Sequence, residues 1–401
     1  MMNQPRATAA RRAGSGPKGS RWTVEYRRDD GALSAVAAEW RDLYDRCRTA
    51  TPFQSHEWLD SWWREYGKSG RLRLILVRRD GLLVAAAAMM LTPRWSCAAL
   101  APMGDGISDL TDILVDDSCA PEATEQLANA LLEETGWHVL DLPEVRPDGP
   151  AAAFAEVWPA RQWRFAAATC LEITAKPLGE ALVEVPRRTA HTIEKKLRKI
   201  DTMGIESRIV RPDEVAAAVE DLVRLHTAQW EGRGGNPEHL RPRFARHLTT
   251  ALEAMVLADR AIVTRYAWEG RVVCCDILLL GHEFAGDYLY GIHPDLREKL
   301  DAYTMVLRDS LAHTHERGLP TLSQLRGTEP HKQRLRPRHV ASSRILLAPR
   351  RGVRAVCYAT AVRFRERARD LVRERLPLLR TWLTRVRRAI DDVLSRMAAR
   401  R

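Results

Sequence analysis

The chain has 401 residues, 45% hydrophobic and 29% charged, a balance that suits a folded, water-exposed protein of about two domains and excludes a disordered one. Its longest apolar run, LLVAAAAMML (82–91), falls well short of the ~18 residues a membrane span needs. The net charge of +11 resides in the two ends: residues 345–401 carry sixteen Arg against five acids and residues 1–28 carry seven basic residues against one acid, so the core is acidic and is not a basic nucleic-acid groove.

In chain order, residues 1–21 are basic and rich in Ala, Gly and Ser, which predicts disorder and lacks the apolar stretch of a secretory signal. VEYRRDD opens a strand, and helices are expected over 33–47 and 52–66, the latter with Trp58, Trp62 and Tyr66 on one face. LRLILVRR and LLVAAAAMML flank Asp80–Gly81, a strong hairpin signal. A Gly/Asp-rich loop and strand (104–117), a helix (121–135) and a strand (138–145) complete a first unit, residues 22–165.

The order then repeats in residues 166–345. A strand at 169–175 and a helix over 178–203, with the basic run 195–199, precede a strand at 205–211 and helices over 213–230 and 237–257. Glu269–Gly270 turns a second hairpin, after which come a strand at 287–292, a polar loop with Arg297 and Lys299, a helix over 302–317, a second strand and a charged turn. The expectation is an α/β (α+β) fold of two like units with mixed central sheets flanked by helices. Residues 346–401 form an Arg-rich helical extension whose last part repeats Leu379, Leu383, Val386, Ile390 and Met397 at helical spacing. Such a stripe on an Arg-rich helix suits the protein's own body, a helical partner, an anionic membrane surface or nucleic acid. Seven scattered cysteines without CxxC spacing or paired histidines argue against disulfides or zinc, and fit a reducing cytoplasm.

Residues 287–335 concentrate the chemistry. A strand feeding a loop that opens a helix at Ala302 offers unpaired N–H groups and a positive dipole to a phosphate, near Tyr303 and Thr304. Arg297 and Lys299 supply charge for it, or only a solvated face. Tyr290 ends the strand and suits donation to an oxyanion or the lining of an acceptor site. Gly327, Glu329 and Lys332 crowd one turn: the last two suit an ion pair that shapes a site, or a substrate contact. Arg326 offers a planar fork to a carboxylate or phosphate. Asp276, inside the apolar run VVCCDILLL, is a candidate general base with a raised pKa, or a polar group paired with a neighbouring element. His226 and Trp230, four apart on a helix, read as a base beside an aromatic or as packed core. Asp109 and Asp112 suit acceptor binding, or only capping of their loop.

PFQSHEWLDSWWREYG, LILVRRDGLLVAAAAMML, GDGISDLTDILVDD, LHTAQWEGRGG and LRGTEPHKQRL, in that order over about residues 22–345, resemble bacterial GNAT-type acetyltransferases related to cellulose-biosynthesis (CelD/BcsL) proteins, which are similar to the Fem aminoacyltransferases. The resemblance implies two GNAT-like units and acyl transfer from acetyl-CoA or another acyl-CoA, without a metal, to an amine or hydroxyl. The acceptor would be a small molecule or a glycan or peptide precursor. It also leaves open a Fem-like use of charged tRNA. A third alternative is a non-catalytic scaffold that docks through its tail on the inner membrane face. Where the family has Ser-Pro-Gly before the helix this chain has Asp301, Ala302 and Tyr303, which puts a side chain where a phosphate would approach; Ser323, Thr328 and His331 also differ.

Overall fold

The protein is described from a computed structural model covering residues 11–12, 19–95, 97–230, 236–349 and 352–375. The expected helix over 378–401, most of the N-terminal stretch and the EGRGG end of the 225–235 motif lie outside the described residues. The first half contains β1 (Arg11–Arg12), β2 (Trp22–Arg27), α1 (Ala32–Ala35), α2 (Ala37–Arg46), α3 (His56–Tyr66), β3 (Leu72–Arg79), β4 (Leu82–Arg94), β5 (Cys97–Pro102), β6 (Leu114–Val115), α4 (Ala120–Glu133), β7 (Val139–Val145), α5 (Pro150–Glu156) and β8 (Gln162–Thr174). The second contains α6 (Leu178–Ala181), α7 (Arg187–Thr202), β9 (Glu206–Ile209), α8 (Val215–Trp230), α9 (Pro242–Leu257), β10 (Ala261–Trp268), β11 (Arg271–Leu280), β12 (Phe284–Ile292), α10 (Pro294–Lys299), α11 (Ala302–Glu316), β13 (Thr321–Arg326) and β14 (Arg338–Leu347), and α12 (Val353–Arg375) follows.

The strands form one mixed sheet flanked by helices, in the order β1-β2-β3-β4-β5-β7-β14-β8-β13-β12-β11-β10-β9 with β6 beside β4. From β2 to β9 that order is a palindrome of the two halves. Each half contributes a hairpin (β3–β4, β10–β11) and one parallel pair joined through a helix (β5‖β7 through α4, β12‖β13 through α11). The halves exchange their last strands: β14 pairs with β7 of the first half and β8 with β13 of the second. The pair of units is thus one continuous sheet, and α3 and α9, equivalent in the repeat, pack on each other through Trp58 and His247.

Local chemistry explains these elements. At the β3–β4 turn Asp80 and Gly81 both adopt positive φ (53° and 88°), the twist a two-residue hairpin requires. Ser55 caps α3 by accepting from the Trp58 N–H, so the expected 52–66 helix is a 3-10 turn followed by α3. Pro186 divides the expected 178–203 helix, because it has no N–H to donate into a helix interior. The loop expected to carry Arg297 and Lys299 is the short helix α10, with Pro294 at its first position and His293 accepting from Asp295 N–H.

Candidate active site

Each parallel pair is joined for only a few residues and then parts. In the second half β12 and β13 pair from Phe284/Thr321 to Gly286/Ser323 and then diverge, and α11 begins beside the opening. A cavity of about 530 Å³ lies there, lined by Gln229, Trp230, Tyr290, Arg297, Tyr303 and Lys332 among others. In the first half β5 and β7 pair only at Ala99/Val139 and Leu100/Leu140, and the opening is filled by the following segment: Met103, Ile107 and Leu110 are buried, and Thr111 bridges Val145.

The N-terminus of α11 is already occupied by the chain. Asp301 caps it, accepting from Thr304 N–H at 3.2 Å, and its carboxylate is also held by Lys196 and Arg334 at 2.5 Å each. Burial would raise the Asp301 carboxyl, but these two cations outweigh it and hold it below the usual range. The dipole end expected to meet a phosphate therefore meets Asp301, with Thr304 buried behind it. The cations that remain beside the cavity are Arg297, Lys332 and Arg334. Lys299 lies apart, its ammonium 4.4 Å from the centre of the Trp268 ring. Tyr303 is a core residue; its hydroxyl donates to Gln324 and its ring meets His331 edge-on.

The carboxyls of Asp276 (β11) and Asp287 (β12) interact directly, with Oδ1 of each buried and lacking a hydrogen-bond partner. Burial pushes the Asp276 carboxyl far above the carboxylate range, and Asp287 beside it adds to the shift. Burial raises Asp287 as well, opposed by its contact with Asp276 and by the charge of Lys332. Two adjacent buried carboxyls cannot both ionise, so the pair holds a proton. Tyr290, opposite Asp276 in the sheet, places its side chain in the cavity wall.

Where β12 leaves β13, its edge is satisfied by α8. The Gln229 side chain accepts from the Ile292 N–H at 3.1 Å, and His226 Nδ1 lies 3.1 Å from the Tyr290 carbonyl. His226 Nε2 lies 3.3 Å from His239 Nδ1, and His239 Nε2 lies 3.3 Å from the Asn236 amide nitrogen. Asn236 Oδ1 accepts from Glu238 N–H, so its NH2 faces His239. The consistent assignment has His239 donating to His226 and His226 donating to Tyr290, both rings neutral. Burial lowers both histidines, His239 to about 4. Both nitrogens of His226 are thus engaged. A Cβ at Gly291 would lie 2.6 Å from the His226 nitrogen, so only glycine lets the α8 backbone approach β12 this closely.

The 326–335 turn serves mainly to fix the end of β13. Lys332 Nζ donates to the carbonyls of Gln324 and Arg326, 2.9 Å each, and lies 3.6 Å from Glu329, whose side chain is half exposed at the cavity edge. Arg326 turns to the first half: its Nε donates to Asp109 at 2.6 Å, and Glu144 lies 3.7 Å away. These two substrate-binding candidates, 217 positions apart, form a bridge between the halves and do not line the cavity. Asp112 caps α5, accepting from Ala151 N–H at 2.6 Å, and burial pushes its carboxyl up to about 7.

Six of the candidates, Trp230, Tyr290, Arg297, Tyr303, Glu329 and Lys332, therefore line one cavity, and Asp276 belongs to the carboxyl pair near it. Asp287, Gln229 and Arg334 are further members that the sequence reading did not single out. Asp287 carries the signal that marked Asp276, a carboxylate in a largely apolar strand; Gln229 and Arg334 carry none, because their roles depend on which strand edge and which helix end they meet.

Residues 187–333 match the family described as acetyltransferase (GNAT) domain, and this stretch holds every residue that lines the cavity except Arg334. No curated protein matches the chain. Among solved structures the chain is similar to FemX (11% identity, 77% of this chain and 95% of that one, TM-score 0.57). It is also similar to the C-terminal domain of a candidate lysylphosphatidylglycerol synthetase from Agrobacterium fabrum (10% identity, 82% and 96%, TM-score 0.53). A conserved Bacteroides thetaiotaomicron protein of unknown function is comparable (13% identity, 81% and 99%, TM-score 0.52). At these identities the likeness is one of fold.

Proposed function

We propose that the second half transfers an acetyl or longer acyl group from acyl-CoA directly to an amine or hydroxyl acceptor, in cell-surface polysaccharide or specialised metabolism like the CelD/BcsL proteins it resembles. The observation that carries this is the open strand pair: cavity, cationic rim and a carboxyl pair with raised proton affinity occur together there, whereas the first half's cavity of about 400 Å³, lined by Arg94, Asp105 and Arg344, has no such pair among the described residues. Arg297, Lys332 and Arg334 outnumber the carboxylates Asp301 and Glu329 around the cavity, which suits a phosphate-bearing donor. A bound acyl-CoA supplies the activated acyl carbon; the chain's part is orientation, proton removal and stabilisation of the developing oxyanion. The acceptor nitrogen or oxygen attacks that carbon, the C–S bond breaks, and the acceptor's proton passes to the ionised member of the Asp276/Asp287 pair, both of whose carboxyls burial raises. The proton then returns to the departing thiolate, which leaves as the CoA thiol. Tyr290, in the cavity wall, would donate to the oxyanion, and His226 would act by positioning the Tyr290 backbone.

Isothermal titration with acetyl-CoA and longer acyl-CoAs tests the reading: binding, with a matching rise in Tm, is expected. Absence of both for every chain length contradicts it. A second reading is Fem-like aminoacyl transfer from charged tRNA, favoured by the FemX-like fold and the basic C-terminal region. It predicts tRNA binding that weakens steeply with salt.

A further inference from the structure

We propose that the outer face of α12 is a docking surface for an anionic lipid bilayer. The helix has two apolar faces. Ala355, Tyr358, Ala359 and Val362 are buried against the sheet beside Cys97, Val139 and Leu346. On the opposite side Val353, Cys357, Phe364, Ala368 and Leu371 recur at three-, four- and seven-residue spacing, and all are exposed: Val353 by 80%, Phe364 by 75% and Leu371 by 49%. Exposed Arg363 and Arg367 edge this second face.

Charge selects the occupant. Residues 353–375 hold seven Arg against three acids, residues 376–401 add seven Arg against two, and the body over 29–344 is net acidic. An acidic protein surface would attract the helix but also the rest of the strongly basic tail without regard to the apolar stripe. A bilayer of anionic lipid matches both features at once, arginines to headgroups and Phe364 and Leu371 to the acyl boundary, and repels the acidic body so that α12 faces it. Among the described residues no helix is long and apolar enough to cross a membrane, so the contact is one of surface.

The test is flotation of the full chain with vesicles of phosphatidylcholine alone or mixed equally with phosphatidylglycerol. Binding is expected only to the mixed vesicles and should decline with salt. At about fivefold per arginine, the R363E/R367E variant should bind at least ~25-fold more weakly. F364D and L371D should each lose about tenfold or more, with unchanged thermal unfolding because both side chains are exposed. Equal binding to neutral vesicles overturns the proposal. So does full binding by these variants when removal of 376–401 abolishes it. A change in oligomeric state by F364D with lipid binding intact also overturns it, since the face would then join two copies.

Discussion

The two halves of the sheet share one strand order and differ in the opening between their parallel strands. In the first half the segment after β5 folds back into the opening, burying Met103, Ile107 and Leu110 and bridging Thr111 to Val145. In the second half the segment after β12 forms α10 and leaves a cavity of about 530 Å³. A repeated fold can thus close the opening in one copy and leave it open in the other without changing its frame. Arg326–Asp109 joins the end of the open pair to the plug of the closed one.

This contrast can be broken most severely at the carboxyl pair. Asp287→Asn keeps the shape and removes the ionisable group, so turnover should fall ~10²–10⁴-fold while thermal stability holds or rises. Retained turnover would remove the pair from the mechanism. Leu110→Ala in the plug should cost ~2–5 kcal/mol in denaturant unfolding, as for a fully buried leucine. Trp230→Ala, 39% exposed at the cavity, should cost under ~1 kcal/mol and instead weaken ligand binding. If both act alike on stability, the two openings are not differently packed. Arg334→Gln should raise KM for acyl-CoA about tenfold with little change in kcat.

A last effect concerns pH. His239 is held neutral in the folded state with its pKa lowered to about 4, against about 6.5 when unfolded. The unfolded chain therefore binds a proton first, so this stability is complete above about pH 6.5 and is lost as pH falls toward about 4. For a partly exposed ring the contribution is ~1–2 kcal/mol. His239→Gln should flatten the corresponding part of a Tm-against-pH curve; an unchanged slope would assign it to other groups.

Much of this frame is legible in the sequence, because hairpin turns such as Asp80–Gly81 and helix periodicity are local signals. The repeated order of elements follows from them. The exchange of β8 and β14 is not legible, since strand partners 166 to 185 positions apart leave no local mark. For the same reason Arg326 and Asp109, each identifiable as a polar residue of interest, give no sign in sequence that they pair. The start of α11 is a different case. Asp301 is visible as a departure from the expected Ser-Pro-Gly, yet only its contacts with Lys196 and Arg334 show that a carboxylate occupies the helix end.

The central claim is that one half binds the acyl donor and the other does not. Native mass spectrometry of the full chain with excess acetyl-CoA counts the bound molecules directly. One molecule per chain, lost on Arg297→Glu/Arg334→Glu and retained on substitution of exposed arginines in the first half, is the predicted result. Two molecules per chain, or none, would contradict the account.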